Sequence, residues 1–398
     1  MKFIDFFAGI GGFRLGMEMA EHECVGFCEY DKFATASYTS MHLITDEQRE
    51  YLSTLNLRER QKEILKPEYR NGEWYAKDIK EVKAINLPKA DCWCFGSPCV
   101  DFSIAGKRAG LSGGRSGLVQ QIFRLLNELE KEDRPEWLIY ENVKGMFSSN
   151  HGWDYVAILS EMDGVGYDIE WQNINSKWFA PQNRERIYTI GHLRRYGRRK
   201  VLPIRGSNKK TSKFSGQIKQ IIGGSQGNRV YDPTGISITL SSQGGGMGAK
   251  TGLYAVPVMS PDRKTVRQNG RRIKKEGEPM FTLTVQDRHG VMIKEATAKG
   301  YAEANEGDSI NLAAPNSKTR RGRVGKGIAN TLDTSCAQGV LDGYRIRKLT
   351  PRECFRLQGF PDDYFDRAAA VNSDSQLYKQ AGNSVTVNVI YEIARRLR

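Results

Sequence analysis

The chain has 398 residues, of which 39% are hydrophobic, 27% charged and 10% aromatic. That balance fits a folded globular protein long enough for two domains and excludes a disordered chain. No run approaches the ~18 consecutive apolar residues of a membrane helix, and Asp5 interrupts the N-terminal apolar run, which argues against a secretory leader. The seven cysteines are odd in number and form no CxxC pair, and only five histidines occur. A disulfide framework and a structural zinc site are therefore disfavoured, no metal is expected, and a reducing cytoplasm is the expected compartment.

The formal net charge is +14. Residues 194–280 hold 19 Lys and Arg against 4 Asp and Glu, a net of +15, and the remainder of the chain nets −1. A basic face concentrated in one segment attracts a polyanion through counterion release. The alternative is a solvated face that serves solubility only.

In chain order, Lys2–Phe7 reads as a buried strand followed by a glycine-rich turn, Phe13–Ala20 as a helix and Cys24–Glu29 as a second strand. Residues 45–66 are charged with helical spacing and look like an exposed helical insertion. Cys92–Gly96, Trp137–Tyr140 and Ile187–Gly191 are further short apolar runs. Strands alternating with helices argue for a parallel α/β sheet. From about residue 194 the texture shifts to glycine, basic residues and weak periodicity, which predicts a second domain of loops and short strands. Within it a Thr-Leu dipeptide recurs at 239–240, 282–283 and 331–332. Helical patterning returns at Pro351–Gln358 and Val385–Leu397.

Four motifs carry chemistry. In Asp5-Phe-Phe-Ala-Gly-Ile-Gly-Gly-Phe13 a strand runs into glycines, so a ligand can approach the backbone at Gly9 and Gly11, and Phe7 sits where an aromatic ring can touch it. Glu29 ends the second strand; an acid there binds both hydroxyls of a ribose or simply meets solvent. Gly96-Ser-Pro-Cys-Val-Asp-Phe-Ser103 places Cys99 in a turn at the end of a strand, where a partly ionised thiol is a strong nucleophile. The glycine-rich basic loop 105–117, with Arg115, reads as a mobile lid that contacts phosphates. Tyr140-Glu-Asn-Val puts the acid Glu141 at a strand end. In Gln182-Asn-Arg-Glu-Arg186 the alternating Arg184 and Arg186 share a face if extended, which suits a phosphate or a carbonyl oxygen, or else a salt-bridged surface.

In this order, with Asp78-Ile79, RKLTPRECFRLQGFP (347–361) and QAGNSVTVNVI (380–390), the motifs resemble those of the DNA cytosine-5 methyltransferases of bacterial or phage type over nearly the full length. The resemblance implies a Rossmann-like S-adenosylmethionine-dependent methyltransferase sheet, formed by 1–193 plus 377–398. A second, smaller, loop-rich target-recognition domain would occupy 194–376. It implies that Phe7, Gly9, Gly11, Glu29, Tyr30, Asp78, Leu118, Asn383 and Val385 line the S-adenosylmethionine pocket, with Tyr30 beside the adenine and Asp78 on its amino group. Cys99 would attack carbon 6 of the cytosine and Glu141 would bond ring nitrogen 3 and the amino group. Arg186 would bond the carbonyl oxygen, and Arg184 would hold a phosphate or a neighbouring acid. Ser103 and Arg115 would contact DNA, as would Thr239, Thr282, Gln286 and Arg288 in the recognition segment, with one Thr-Leu pair, not all three, at the bases. The implied partner is double-stranded DNA, bound by a monomer without membrane or metal. A cognate restriction endonuclease would be a genetic, not a physical, partner.

Two positions depart from the family pattern: Val100 stands where Gln is usual, and Ser97 where Phe is common. Val100 cannot donate the hydrogen bonds a Gln makes near DNA, which touches base flipping and not the reaction class. An RNA cytosine methyltransferase would have a smaller basic segment. A non-enzymatic DNA binder need not keep Cys99, Glu141, Arg184 and Arg186 together, and a nicotinamide oxidoreductase should show GxGxxG.

Overall fold

The computed structural model describes residues 1–96, 116–197, 200–204, 220–222, 230–231, 255–259, 289–298, 300–313, 319–342 and 345–397. The chain divides into two compact units. The first comprises 1–180, 184–207 and 355–398, and the second 181–183 and 208–354. The first unit thus resumes at Phe355, where the sequence reading placed the return at 377.

In chain order the first unit opens with β1 (Lys2–Phe6), α1 (Gly12–Glu18), β2 (Glu23–Cys28), α2 (Lys32–His42), α3 (Asp46–Ser53) and α4 (Leu57–Glu63). There follow β3 (Trp74–Ala76), β4 (Cys92–Phe95), α5 (Val119–Glu128), β5 (Trp137–Val143), α6 (Trp153–Gly164) and β6 (Tyr167–Asn175). The short β7 (Gln182–Asn183) belongs to the second unit, and β8 (Glu185–Leu193) returns to the first. The sheet order is β3-β2-β1-β4-β5-β8-β6. Its pairs from β3 to β5 are parallel, but β8 runs antiparallel to both β5 and β6. The sheet is therefore mixed, where the sequence pattern predicts a parallel one. No crossover helix separates β6 from β8, so the chain comes back beside β6 in the opposite sense.

Side chains alternate across this sheet with a period of two. Phe3, Cys92, Cys94, Trp137 and Ile139 pack on one face with Phe13 and Met17 of α1. Ile4, Phe6, Trp93, Phe95 and Leu138 pack on the other with α5 and α6. The insertion at 45–66 is helical as its spacing predicts, and each helix opens on a capping box: Thr45 with Gln48 in α3, Asn56 with Glu59 in α4.

In the second unit the described strands are β9 (Gln220–Ile222), β10 (Val230–Tyr231), β11 (Ala255–Met259), β12 (His289–Lys294), β13 (Tyr301–Ala304), β14 (Ser309–Asn311), β15 (Val324–Gly325), β16 (Ala329–Asn330), β17 (Gln338–Asp342) and β18 (Arg345–Lys348). They form small sheets β11-β12-β13 and β15-β14-β17-β18, with β9-β10 and β7-β16 as two-stranded pairs. A small core of Ile293, Ala304, Ile310 and Leu341 supports them. After α7 (Pro351–Leu357), the first unit closes with α8 (Asp362–Ala369), α9 (Asp374–Asn383) and α10 (Val387–Ala394). A side chain at Gly16 of α1 would put its Cβ 2.6 Å from Ile390 Cβ, so that glycine lets α10 lie close against α1. Among the described residues no helix is long and apolar enough to cross a membrane.

Candidate active site

At the end of β1 the backbone turns sharply. Phe7 takes φ +56°, and Gly9 and Gly11 take +56° and +81°. A non-glycine residue in that region is strained by about 1 kcal/mol or more and persists where its surroundings over-determine it. The two glycines serve different ends. A Cβ on Gly11 would lie 2.4 Å from His42 Nε2, so the position is closed by packing, whereas a Cβ on Gly9 would meet nothing within 4 Å. Gly9 therefore leaves backbone open to a ligand. A Cβ on Gly12 would lie 2.7 Å from Ser384 Oγ and 2.8 Å from Val385 Cγ2, which brings the turn and the segment before α10 together.

Glu29, just past β2, holds this turn: one carboxylate oxygen accepts from Gly9 N–H at 2.8 Å and the other from Asp31 N–H at 2.7 Å. Burial raises its pKa, opposed by those backbone donors. Each oxygen keeps a lone pair for a hydroxyl. Tyr30 is 68% exposed, with Lys77 Nζ 5.5 Å from its ring centre. Asp78 follows β3, on the strand beside β2, and lies in a cleft of about 250 Å³ with Trp74, Ala76 and Val82. Leu118 is half-buried where α5 begins, Asn383 is exposed at the end of α9, and Val385 is buried.

Sequence reasoning missed the supports of this turn. His42 Nε2 lies 3.1 Å from the Ile10 carbonyl, so that nitrogen carries the proton and donates. Burial holds the ring's pKa well below its ordinary value and keeps it neutral. Tyr38 and Tyr364 flank it at 4.9 and 5.3 Å. Arg14 of α1, buried, donates to Glu18, Tyr38 and Glu73. Beneath the turn Asp5 is fully buried, which pushes its carboxyl well above the usual range. A lone His within an unremarkable helix gives no signal of its role; Gly11 is the hint, and only packing explains it.

The second cluster lies at the far end of β5. Glu141 is 8% exposed, and Arg186 Nε stands 3.1 Å from its Oε1, an ion pair without the alignment of a hydrogen bond. The register Val143↔Arg186 and Glu141↔Tyr188 between β5 and β8 brings them together. A Cβ on Gly96 would lie 3.3 Å from Glu141 Oε2, so β4 ends beside this acid, three residues before Cys99 in the chain. Arg184 is arranged differently from its neighbour. It is buried and donates to the carbonyls of Gly382 at 3.2 Å and Ser384 at 2.9 Å. These bonds tie β8 to the end of α9 beside Asn383 and Val385.

Cys99, Ser103, Arg115, Thr239, Thr282, Gln286 and Arg288 lie outside the described residues. None of the six described cysteines is in a disulfide. Burial pushes Cys24 up to about 12 and raises Cys28 and Cys94 well above the ordinary thiol value, which makes them poor nucleophiles.

A family profile described as C-5 cytosine-specific DNA methylase matches residues 1–66 and 53–398. The chain is 28% identical to the orphan methyltransferase M.SPBetaI of Bacillus phage SPbeta, covering 100% of this chain and 97% of that protein. It is 30% identical, with the same coverage, to the orphan methyltransferase M.Rho11sI of Bacillus phage rho11s. Among solved structures, the Entamoeba histolytica methyltransferase EhMeth shares the fold at a TM-score of 0.55 and 14% identity, covering 100% of this chain and 97% of its own.

Proposed function

Because the chain belongs to the C-5 cytosine-specific DNA methylase family, whose members methylate cytosine in DNA with S-adenosylmethionine, we propose that it modifies one short sequence of double-stranded DNA through a covalent Cys99–cytosine adduct. Bound S-adenosylmethionine supplies an electrophilic methyl group. Residues around the β1 turn fit that cofactor. Gly9 leaves open backbone, Glu29 has lone pairs for the ribose hydroxyls, and Tyr30 and Asp78 stand at neighbouring strand ends for the adenine. Phe7, Gly11, Leu118, Asn383 and Val385 complete the pocket.

The observation that carries the reading is the Glu141–Arg186 pair beside Gly96. Carbon 5 of cytosine is too weak a nucleophile to take a methyl group directly. Attack of the Cys99 thiolate on carbon 6 gives an enamine whose carbon 5 can accept it, which divides one hard step into easier ones. A proton held between one Glu141 carboxyl oxygen and ring nitrogen 3 draws electron density off the ring, the other carboxyl oxygen accepts from the amino group, and Arg186 donates to the carbonyl oxygen. Until a base arrives the two charges partly neutralise each other. A solvent water then takes the proton from carbon 5, the electron pair expels Cys99 as its thiolate from carbon 6, and 5-methylcytosine leaves. Such chemistry needs the base out of the stack, so the target nucleotide is flipped. The second unit, which contains most of the basic 194–280 segment, is the target-recognition domain, and the enzyme acts as a cytoplasmic monomer.

Two variants test this. Cys99→Ser should bind duplex and cofactor yet transfer essentially no tritiated methyl, because a hydroxyl is a far poorer nucleophile at neutral pH. Glu141→Gln should lose about 10²–10⁴ in rate with cofactor binding kept. Substantial transfer by the Cys99 variant removes the adduct from the mechanism, and labelling of tRNA in preference to duplex DNA removes the substrate.

A further inference from the structure

Of the three Thr-Leu pairs, the one at 331–332 falls among described residues, and its surroundings are specific. Thr331 Oγ1 donates to the Asn183 carbonyl at 2.7 Å. Leu332 is 1% exposed and faces inward. Just before them β16 pairs in parallel with β7, Ala329 opposite Gln182 and Asn330 opposite Asn183, and Ala329 N–H donates to the Pro181 carbonyl at 3.1 Å. Gln338 locks the segment from its other side: its amide accepts from Asn330 N–H at 3.0 Å and donates to the carbonyls of Asn330 and Thr331 at 2.8 and 3.0 Å. The threonine hydroxyl thus adds one donor to a two-residue ladder.

What that ladder holds is informative. Residues 181–183 belong to the second unit, while Ala180 before them and Arg184 after them belong to the first. The three residues are a tether: their peptide chain runs directly into Arg184, which clamps Gly382 and Ser384, and on to Arg186, which faces Glu141. We propose that Thr331 is a positioning residue for methyl transfer, which fixes Asn183 and through the chain sets Arg186, and that it does not read DNA bases. Its hydroxyl is engaged by the backbone carbonyl, and its leucine is packed inside, so this pair has little to offer a groove. The proposal rests on Arg186 contacting the flipped cytosine.

Thr331→Val keeps the shape and removes the donor. It should lower kcat about tenfold, on the scale of one lost hydrogen bond, with the KM for duplex and the bisulfite consensus unchanged. Thr331→Ser should restore kcat, since its hydroxyl can donate again. In an Arg186→Lys background the valine substitution should cost nothing further, because both changes act on one contact. An altered consensus or weakened DNA binding at unchanged kcat overturns the proposal in favour of base reading, and full kcat in Thr331→Val overturns it outright. Should the valine variant fail to fold, Thr331→Ala takes its place, and failure of both assigns Thr331 to stability instead. Arg186→Ala at full rate removes the premise, whereas an inactive Arg186→Ala beside a fully active Thr331→Val removes this proposal alone.

Discussion

At the scale of single residues, the β1 turn depends on side chains that need not touch the ligand. His42 is the clearest: its Nε2–H holds the Ile10 carbonyl, and its ring occupies the space a side chain at Gly11 would need. His42→Leu removes the donor and should raise the KM for S-adenosylmethionine about tenfold with kcat little changed, while His42→Gln, which can still donate, should lose less. The ring also gives a pH signature. Its folded pKa is depressed by burial, so below the ordinary value of about 6.5 the unfolded chain takes a proton that the folded chain resists. Stability from this group is present above that pH and declines as pH falls below it. The drop in Tm between pH 7.5 and 5.5 should therefore be smaller in His42→Gln than in the parent. An equal drop in both would show that His42 is not the group that titrates.

At the scale of elements, patterning and capping chemistry were legible in the sequence, and strand direction was not. β1, β2 and β5 appear where apolar runs predict them, and the returning helices at Pro351 and Val387 begin within two residues of expectation. The insertion at 45–66 folds as α3 and α4 because Thr45 and Asn56 sit three residues before Gln48 and Glu59. β8 is antiparallel because of how the chain returns from β6, and an apolar run carries no sign of its direction. The candidate site divides in the same way. Glu141 was readable as an acid at a strand end and Arg186 as a guanidinium sharing a face with Arg184, but the meeting of Glu141 and Arg186 needs the β5–β8 register, and the contacts of Arg184 reach α9, nearly 200 residues away. The caps yield a prediction. Thr45→Ala should lower stability by about 1 kcal/mol, the usual cost of a lost N-cap, and leave kcat and both KM values unchanged. A fall in kcat at unaltered Tm would give the insertion a role in the reaction.

At the scale of the molecule, charge is divided unequally: residues 194–280 net +15 while the rest of the chain nets −1. Such a division matches one part doing chemistry on a base and another holding a polyanion. The expected consequence is a steep dependence of DNA affinity on salt, because each phosphate neutralised releases condensed counterions. For about six phosphate contacts the loss between ~50 and ~200 mM salt is of order 10³. Replacing the basic cluster Arg271, Arg272, Lys274 and Lys275 by Gln should flatten that dependence and weaken binding to all sequences alike, leaving the bisulfite consensus intact. Arg58→Gln with Lys62→Gln in the charged α4 serves as the control. It removes two positive charges from the first unit and none from residues 194–280, and should leave the salt slope as it was. A slope that changes equally in both sets would mean that net charge alone attracts the DNA. A slope that changes only in the α4 set would put the DNA-binding face on the helical insertion and take it away from residues 194–280.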